Sequence, residues 1–138
     1  MRMSKQWQSY RLGWDPTHAG RPGCAQLSYY TASYREYGEG PPLLLIPGLA
    51  GGIDLTDALA QKLSYHFRVI AVQLRAEEEP FLLRRRFDLT DLVDDLAEFI
   101  DVMHLENPDV VGVSFGGILG LELAARYPYR LRSLAVQG

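Results

Sequence analysis

The sequence predicts an α/β fold: a mostly parallel sheet with helices on both faces. Three observations carry this. Leu43-Leu44-Leu45-Ile46 and Val110-Val111-Gly112-Val113 are short apolar runs bounded by turn residues, the pattern of strands covered on both faces. From Leu43 onward such runs alternate with segments of helical period, which makes the strands parallel with right-handed crossovers. Glycine-rich turns follow two of the strands, at Pro47-Gly48-Leu49-Ala50-Gly51-Gly52 and at Ser114-Phe115-Gly116-Gly117. Ligand sites of open α/β sheets lie beyond the C-terminal strand ends, where these turns fall.

A chain of 138 residues is one domain by length and large enough to bury a core. Its apolar fraction, 47%, is ordinary for a globular protein. A net charge of −3 gives no support for binding nucleic acid or an anionic membrane. The single cysteine, Cys24, cannot form an internal disulfide, and no Cys/His spacing suits a metal. No cofactor is expected. The polar N-terminus lacks the apolar stretch of a secretory signal, and no apolar run approaches the ~18 residues of a membrane span. A cytoplasmic protein is the expectation.

In chain order, a first strand is expected over Gln6 to Leu12. Three glycines and two prolines mark Gly13 to Gly23 as a loop. Gln26 to Arg35, rich in Tyr, Ser and Thr, suits a second strand antiparallel to the first. Its tyrosines fit sheet packing better than a stacking platform, because no basic or glycine-rich partner motif accompanies them. Tyr37 to Pro42 is a turn feeding the strand Leu43 to Ile46. Asp54 or Thr56 can cap a helix to about Tyr65, with Leu55, Ala58, Leu59 and Leu63 on one face. Phe67 to Leu74 is the next strand, and Arg75 to Pro80 a loop. Glu77-Glu78-Glu79 and Arg84-Arg85-Arg86 read as opposite charge runs offsetting each other on a solvated surface.

Asp88 caps a helix from Leu89 to about Met103, with Asp91 at capping-box spacing. Leu92, Leu96, Phe99, Ile100 and Met103 form its apolar stripe. Asp94, Asp95, Glu98 and Asp101 are expected on a solvated face, since no histidine joins them at ligand spacing. Asn107-Pro108 breaks the chain before the strand that leads to Ser114. Ile118 to Arg126 is helix-forming and stops at Tyr127-Pro128, and Leu131 to Gln137 reads as the last strand.

The chemistry lies in Gly112-Val113-Ser114-Phe115-Gly116, a G-x-S-x-G pattern between a buried strand and a helix. Composition alone predicts roughly 0.06 chance matches in a chain like this, so the context carries the weight. A serine hydroxyl is a weak nucleophile unless held exposed beside a base. A sharp strand-to-helix turn exposes it but forces it into a sparsely populated backbone region. Gly112 and Gly116 have no side chain to obstruct the close approach of strand and helix. The competing reading is a glycine-rich turn whose serine merely caps the helix. For the loop after Ile46, a phosphate cradle competes with an oxyanion-binding loop. No Gly-Lys-Ser/Thr follows, and the spacing is not G-x-G-x-x-G, which weakens the cradle.

With these pieces in order, the segment from about Pro41 to Gly138 resembles the N-terminal half of an α/β-hydrolase. The matching stretches are Leu43 to Gly52, the Ser114 turn, and Ala124-Ala125-Arg126-Tyr127-Pro128-Tyr129-Arg130-Leu131-Arg132-Ser133-Leu134. The resemblance implies one incomplete domain, truncated after the strand that follows the nucleophile helix. Residues 1–42 would supply N-terminal strands and a loop, and residues 43–138 the parallel core. It also implies that Ser114 is the nucleophile and that the Leu49 and Phe115 N–H groups form an oxyanion hole, with Gly48 beside them. A small-molecule acyl substrate is the expected partner. The family often has His-Gly where this chain has Pro47-Gly48. It commonly shows Asp-x-Arg-Gly where Gln73-Leu74-Arg75-Ala76 stands here.

The family's acid and histidine follow the serine, and the sequence ends 24 residues after Ser114. His66 and His104 each precede a strand and are expected at the opposite end of the sheet. His18 lies in the early loop. The chain alone is therefore expected to be nearly inert, and to self-associate through an exposed last strand. Two other readings differ in class: a non-catalytic α/β interaction module with an idle Ser114, and a nucleotide-binding doubly wound domain. Neither glycine loop matches a phosphate fingerprint, which weighs against the nucleotide-binding reading.

Overall fold

The computed structural model describes residues 19–49, 51–78 and 87–138. Six strands form one sheet in the order β1-β2-β4-β3-β5-β6. They are β1 (Arg21–Gln26), β2 (Thr31–Tyr37), β3 (Pro42–Ile46), β4 (Arg68–Val72), β5 (Asp109–Val113) and β6 (Ser133–Gln137). The β1/β2 and β2/β4 pairs are antiparallel. The β4/β3, β3/β5 and β5/β6 pairs are parallel. Between β3 and β4 lie α1 (Gly52–Leu55) and α2 (Asp57–Leu63). Then come α3 (Arg75–Glu78), α4 (Leu89–Val102), α5 (Phe115–Arg126) and a 3-10 turn, Pro128–Arg130.

Past their first residues the central strands carry no polar side chain, because both of their faces are covered. Leu44 and Ile46 join Ile70, Val72 and Val110 on one face, beneath Leu92, Leu96 and Phe99 of α4 and Leu119 and Leu123 of α5. Leu43 and Leu45 point the other way, with Val69 and Ala71, and meet Ala60 of α2 and Tyr37. The period of two along β3 thus feeds two separate cores.

Helix α4 begins as its sequence indicates. The Asp88 side chain accepts from the Asp91 N–H at 3.1 Å, and Asp91 accepts from the Asp88 N–H at 2.9 Å, a complete capping box. Leu92, Leu96, Phe99 and Ile100 are buried as expected.

The strand expected over Gln6 to Leu12 falls outside the described residues. Several other expectations need correction. The run Gln26–Arg35 is not one strand. It is broken by a turn in which the Leu27 N–H donates to the Tyr30 carbonyl at 2.9 Å. The expected loop ends earlier, so that Arg21 to Gly23 belong to β1. Pro22 is tolerated there because β1 is an edge strand of the described sheet. The helix expected from Asp54 to Tyr65 is two short helices meeting at Thr56, whose hydroxyl donates to the Ile53 carbonyl at 3.0 Å. Leu55 is consequently exposed, and Ala60 and Gln61 are the buried positions. Arg75 to Glu78 is a helical turn rather than a loop. Asp95 is buried, not solvated. Glu79, Arg84, Arg85 and Arg86 lie outside the described residues; the Glu78 carboxylate accepts from the Ser33 N–H at 2.8 Å.

At the start of β5, Arg132 donates twice to the Asp109 carboxylate and the Ser133 hydroxyl donates once. These bonds, Arg132 first, hold the Asp109 carboxyl below the ordinary carboxylate range. A depressed native pKa stabilises the fold at pH above the unfolded value, about 3.9. That contribution is lost as pH falls through the lower native value. Urea midpoints measured from about pH 5 downward should therefore fall less steeply in Arg132→Ala than in the wild type; identical slopes would contradict this.

Candidate active site

The sheet has one point where its connections diverge. From β3 the chain leaves through α1 and α2 toward β4. From β5 it leaves through α5 toward β6, on the other side of β3. The crevice between the C-terminal ends of β3 and β5 is thus the topological switch point, where open α/β sheets bind ligands. The strands are in register there, with Ile46 opposite Gly112. Both glycine-rich turns therefore open into one crevice.

Ser114 stands at the end of β5 with φ 54° and ψ −119°. That conformation is sparsely populated for a residue with a Cβ, at a cost of about 1–3 kcal/mol. Its surroundings hold it. The Ser114 N–H donates to the Gln137 carbonyl at 2.7 Å, extending the β5/β6 pairing into the turn, and its carbonyl accepts from Gly117 at 2.8 Å. The Ser114 side chain makes no capping bond to α5, and the residue is exposed. A bare helix cap does not account for it.

The glycines show why the turn needs them. A Cβ on Gly112 would lie 2.7 Å from the Gly117 Cα. A Cβ on Gly116 would lie 2.6 Å from the Pro47 carbonyl oxygen and 2.7 Å from the Ile46 carbonyl carbon. Neither set of backbone atoms can give way easily. Gly48 closes the arrangement from the other side: a Cβ built there would sit 3.5 Å from the Ser114 Cβ and 3.9 Å from its Oγ. The loop after β3 thus lies against the serine.

Phe115 is the first residue of α5, so its N–H has no partner within the helix. Leu49 follows Gly48 in the loop and is 44% exposed. Ser114, Phe115, Gly48, Gly112 and Gly116 therefore gather at one place, with Leu49 on the adjoining loop. The place holds an exposed hydroxyl beside a helix-start N–H, that of Phe115.

The histidines are not brought there. His66 sits in the turn before β4, and His104, with φ 52°, in the turn before β5. Both strands run parallel to one another through β3. A five-residue strand is about 16 Å long, which puts both rings out of hydrogen-bond reach of Ser114. His18 lies outside the described residues. Cys24 is exposed on β1. Among the described residues no three His, Cys, Asp or Glu side chains converge as metal ligands would, and no helix is long and apolar enough to cross a membrane.

Sequence reasoning missed the support behind the crevice. Arg75, directly after β4, donates twice to the buried Asp95 carboxylate, at 2.8 Å from Nε and 2.5 Å from Nη2. Its guanidinium lies 5.0 Å from the Tyr29 ring centre and 5.6 Å from that of Phe87. The Tyr30 hydroxyl donates to the Gln73 carbonyl at 3.0 Å. Burial above all, with Asp95 next, pushes that hydroxyl's pKa up, so it stays a donor. Only the spacing Gln73-Leu74-Arg75 hinted at this cluster, through its likeness to a family motif.

Comparison with known proteins matches residues 41–138 to the alpha/beta hydrolase fold family. The chain is 33% identical over 109 residues to the 2-hydroxy-6-oxo-2,4-heptadienoate hydrolase of Pseudomonas putida, covering 75% of this chain and 39% of that protein. It is 30% identical over 109 residues to RutD of Pantoea ananatis, a candidate carbamate hydrolase, covering 78% of this chain and 40% of that one. The crystal structure of a candidate lipase from Acinetobacter baumannii superimposes with a TM-score of 0.76 at 27% identity, covering 99% of this chain and 46% of that chain. The chain thus spans 39–40% of the length of these curated relatives.

Proposed function

Because the chain belongs to the α/β-hydrolase fold family, we propose that it carries the nucleophile and oxyanion half of a serine hydrolase. One observation carries the reading: an exposed Ser114 held at φ 54° between Gly112 and Gly116, with the Gly48 loop against it. In the proposed reaction the Ser114 Oγ attacks an acyl carbonyl, and its proton passes to a histidine. The Leu49 and Phe115 N–H groups stabilise the oxyanion. The leaving group departs with the proton, and water then cleaves the acyl-enzyme. Ester, amide, lactone and thioester carbonyls all suit this chemistry. The relatives carry names as different as an oxo-dienoate hydrolase and a lipase, so they do not narrow the acyl group.

No histidine follows Ser114 in the sequence, and His66 and His104 are at the wrong end of the sheet. The reading assigns the base to neither of these, nor to His18, which lies outside the described residues, but to a histidine outside the 138 residues. The chain alone should then react with a fluorophosphonate only at a trace level. The active species from the native source should be heavier than 15.5 kDa or carry a second chain, and should label at Ser114. Fast labelling of Ser114 in the 138-residue chain would sink the external-base part. Undiminished biological activity in Ser114→Ala would sink the nucleophile. That outcome would leave the interaction-module reading, which the remote histidines favour.

A further inference from the structure

The loop that carries Leu49 reaches α1 through Gly51 and Gly52. Gly51 and Gly52 take φ values of 85° and 50°, and glycine is the residue with the most freedom to leave such values. The loop enters α1, whose first N–H groups need acceptors. The N-cap is Gly51, which has no side chain to provide one. The acceptor comes instead from the end of β4: Gln73 Oε1 receives the Ile53 N–H at 3.1 Å. The Gln73 amide also lies close against Gly52, where a Cβ would come within 2.7 Å of its Nε2.

Gln73 is itself fixed. Its N–H donates to the Ser33 carbonyl at 2.8 Å, and its carbonyl accepts from the Tyr30 hydroxyl at 3.0 Å. Two residues on, Arg75 is locked to Asp95. The amide is therefore a peg on a rigid strand end, reaching into a loop that lacks its own cap. It stands where the resembled family commonly has an aspartate.

We propose that Gln73 is a positioning residue: its side-chain amide holds the loop after β3 so that the Leu49 N–H faces the oxyanion formed at Ser114. This rests on the reading of Leu49 as an oxyanion donor. Gln73→Met keeps the length and removes the acceptor, whereas Gln73→Glu keeps an acceptor oxygen. In the 138-residue chain, Gln73→Met should speed exchange of the Ile53 amide by about tenfold or more. The Leu49 backbone order parameter should fall from about 0.85 to below 0.6. Gln73→Glu should restore both. Gln73→Asn, one methylene too short, provides the same comparison should the methionine variant not fold. Unchanged Leu49 order in Gln73→Met or Gln73→Asn, or failure of Gln73→Glu to restore it, would overturn the proposal. These measurements read the loop and not the chemistry. A failed phosphonate label therefore rejects the nucleophile reading without touching this result.

Discussion

Ser114→Ala in the active species is expected to abolish phosphonate labelling and to lower turnover by about 10⁶-fold, the scale seen when a triad serine is removed. That corresponds to roughly 8 kcal/mol of barrier. Ser114→Gly should lose the same activity, but the two variants should differ in stability. Alanine keeps the Cβ that makes φ 54° and ψ −119° unfavourable. Glycine removes it and pays only its own backbone entropy. The glycine variant should therefore be more stable than the alanine variant by about 1 kcal/mol. Urea midpoints of the 138-residue chain, compared at equal m, read this directly. Equal midpoints would mean that the turn stores no strain, and the observed backbone would then need another account.

The second large effect is in the Arg75–Asp95 pair, both of whose side chains are almost wholly buried. Asp95→Ala should cost about 3–5 kcal/mol, because it removes the carboxylate that receives two hydrogen bonds from the buried guanidinium. Against a typical stability of about 5–15 kcal/mol this is a large share of the fold. Replacing both partners, with Arg75→Met and Asp95→Leu together, should recover most of the loss. The reason is the desolvation cost of the pair itself: burial pushes the Asp95 carboxyl up against the lowering effect of Arg75. Chemical denaturation of the two single variants and the double variant tests this. A single-variant loss below about 1 kcal/mol would show that the pair behaves like a surface ion pair.

What could be read from the chain alone follows from the range of the interactions. The Ser114 turn was legible because its requirements are local. A buried strand, a serine and two flanking glycines lie within a few residues, and Gly112 meets its neighbours in the same stretch; only Gly116 meets a distant segment, the end of β3. The start of α4 was legible for the same reason, since a capping box joins residues three apart. Asp95 was misplaced because its burial is decided by Arg75, twenty residues away. Helix period alone cannot reveal a buried ion pair. The turn at Leu27 to Tyr30 was missed because it contains neither glycine nor proline. It is held in part from a distance, through Ser28, whose N–H and hydroxyl both donate to Glu98, seventy residues on. Gln73 was visible only as a departure from a family pattern, and its role appeared once the loop it holds was seen beside it.

The glycines of α5 make the helix dependent on its neighbours. Gly116, Gly117 and Gly120 together cost about 3 kcal/mol of helix propensity against alanine. A twelve-residue helix has little stability of its own in water. What α5 receives in exchange is contact: Gly116 against the end of β3, Gly117 against Val136 and Gly120 against Leu134 of β6. Its helical form thus depends on packing against the sheet. The Ser114 turn shares that dependence: its N–H is bonded to Gln137 of β6, so any force that loosens β6 from β5 also reaches the backbone of Ser114.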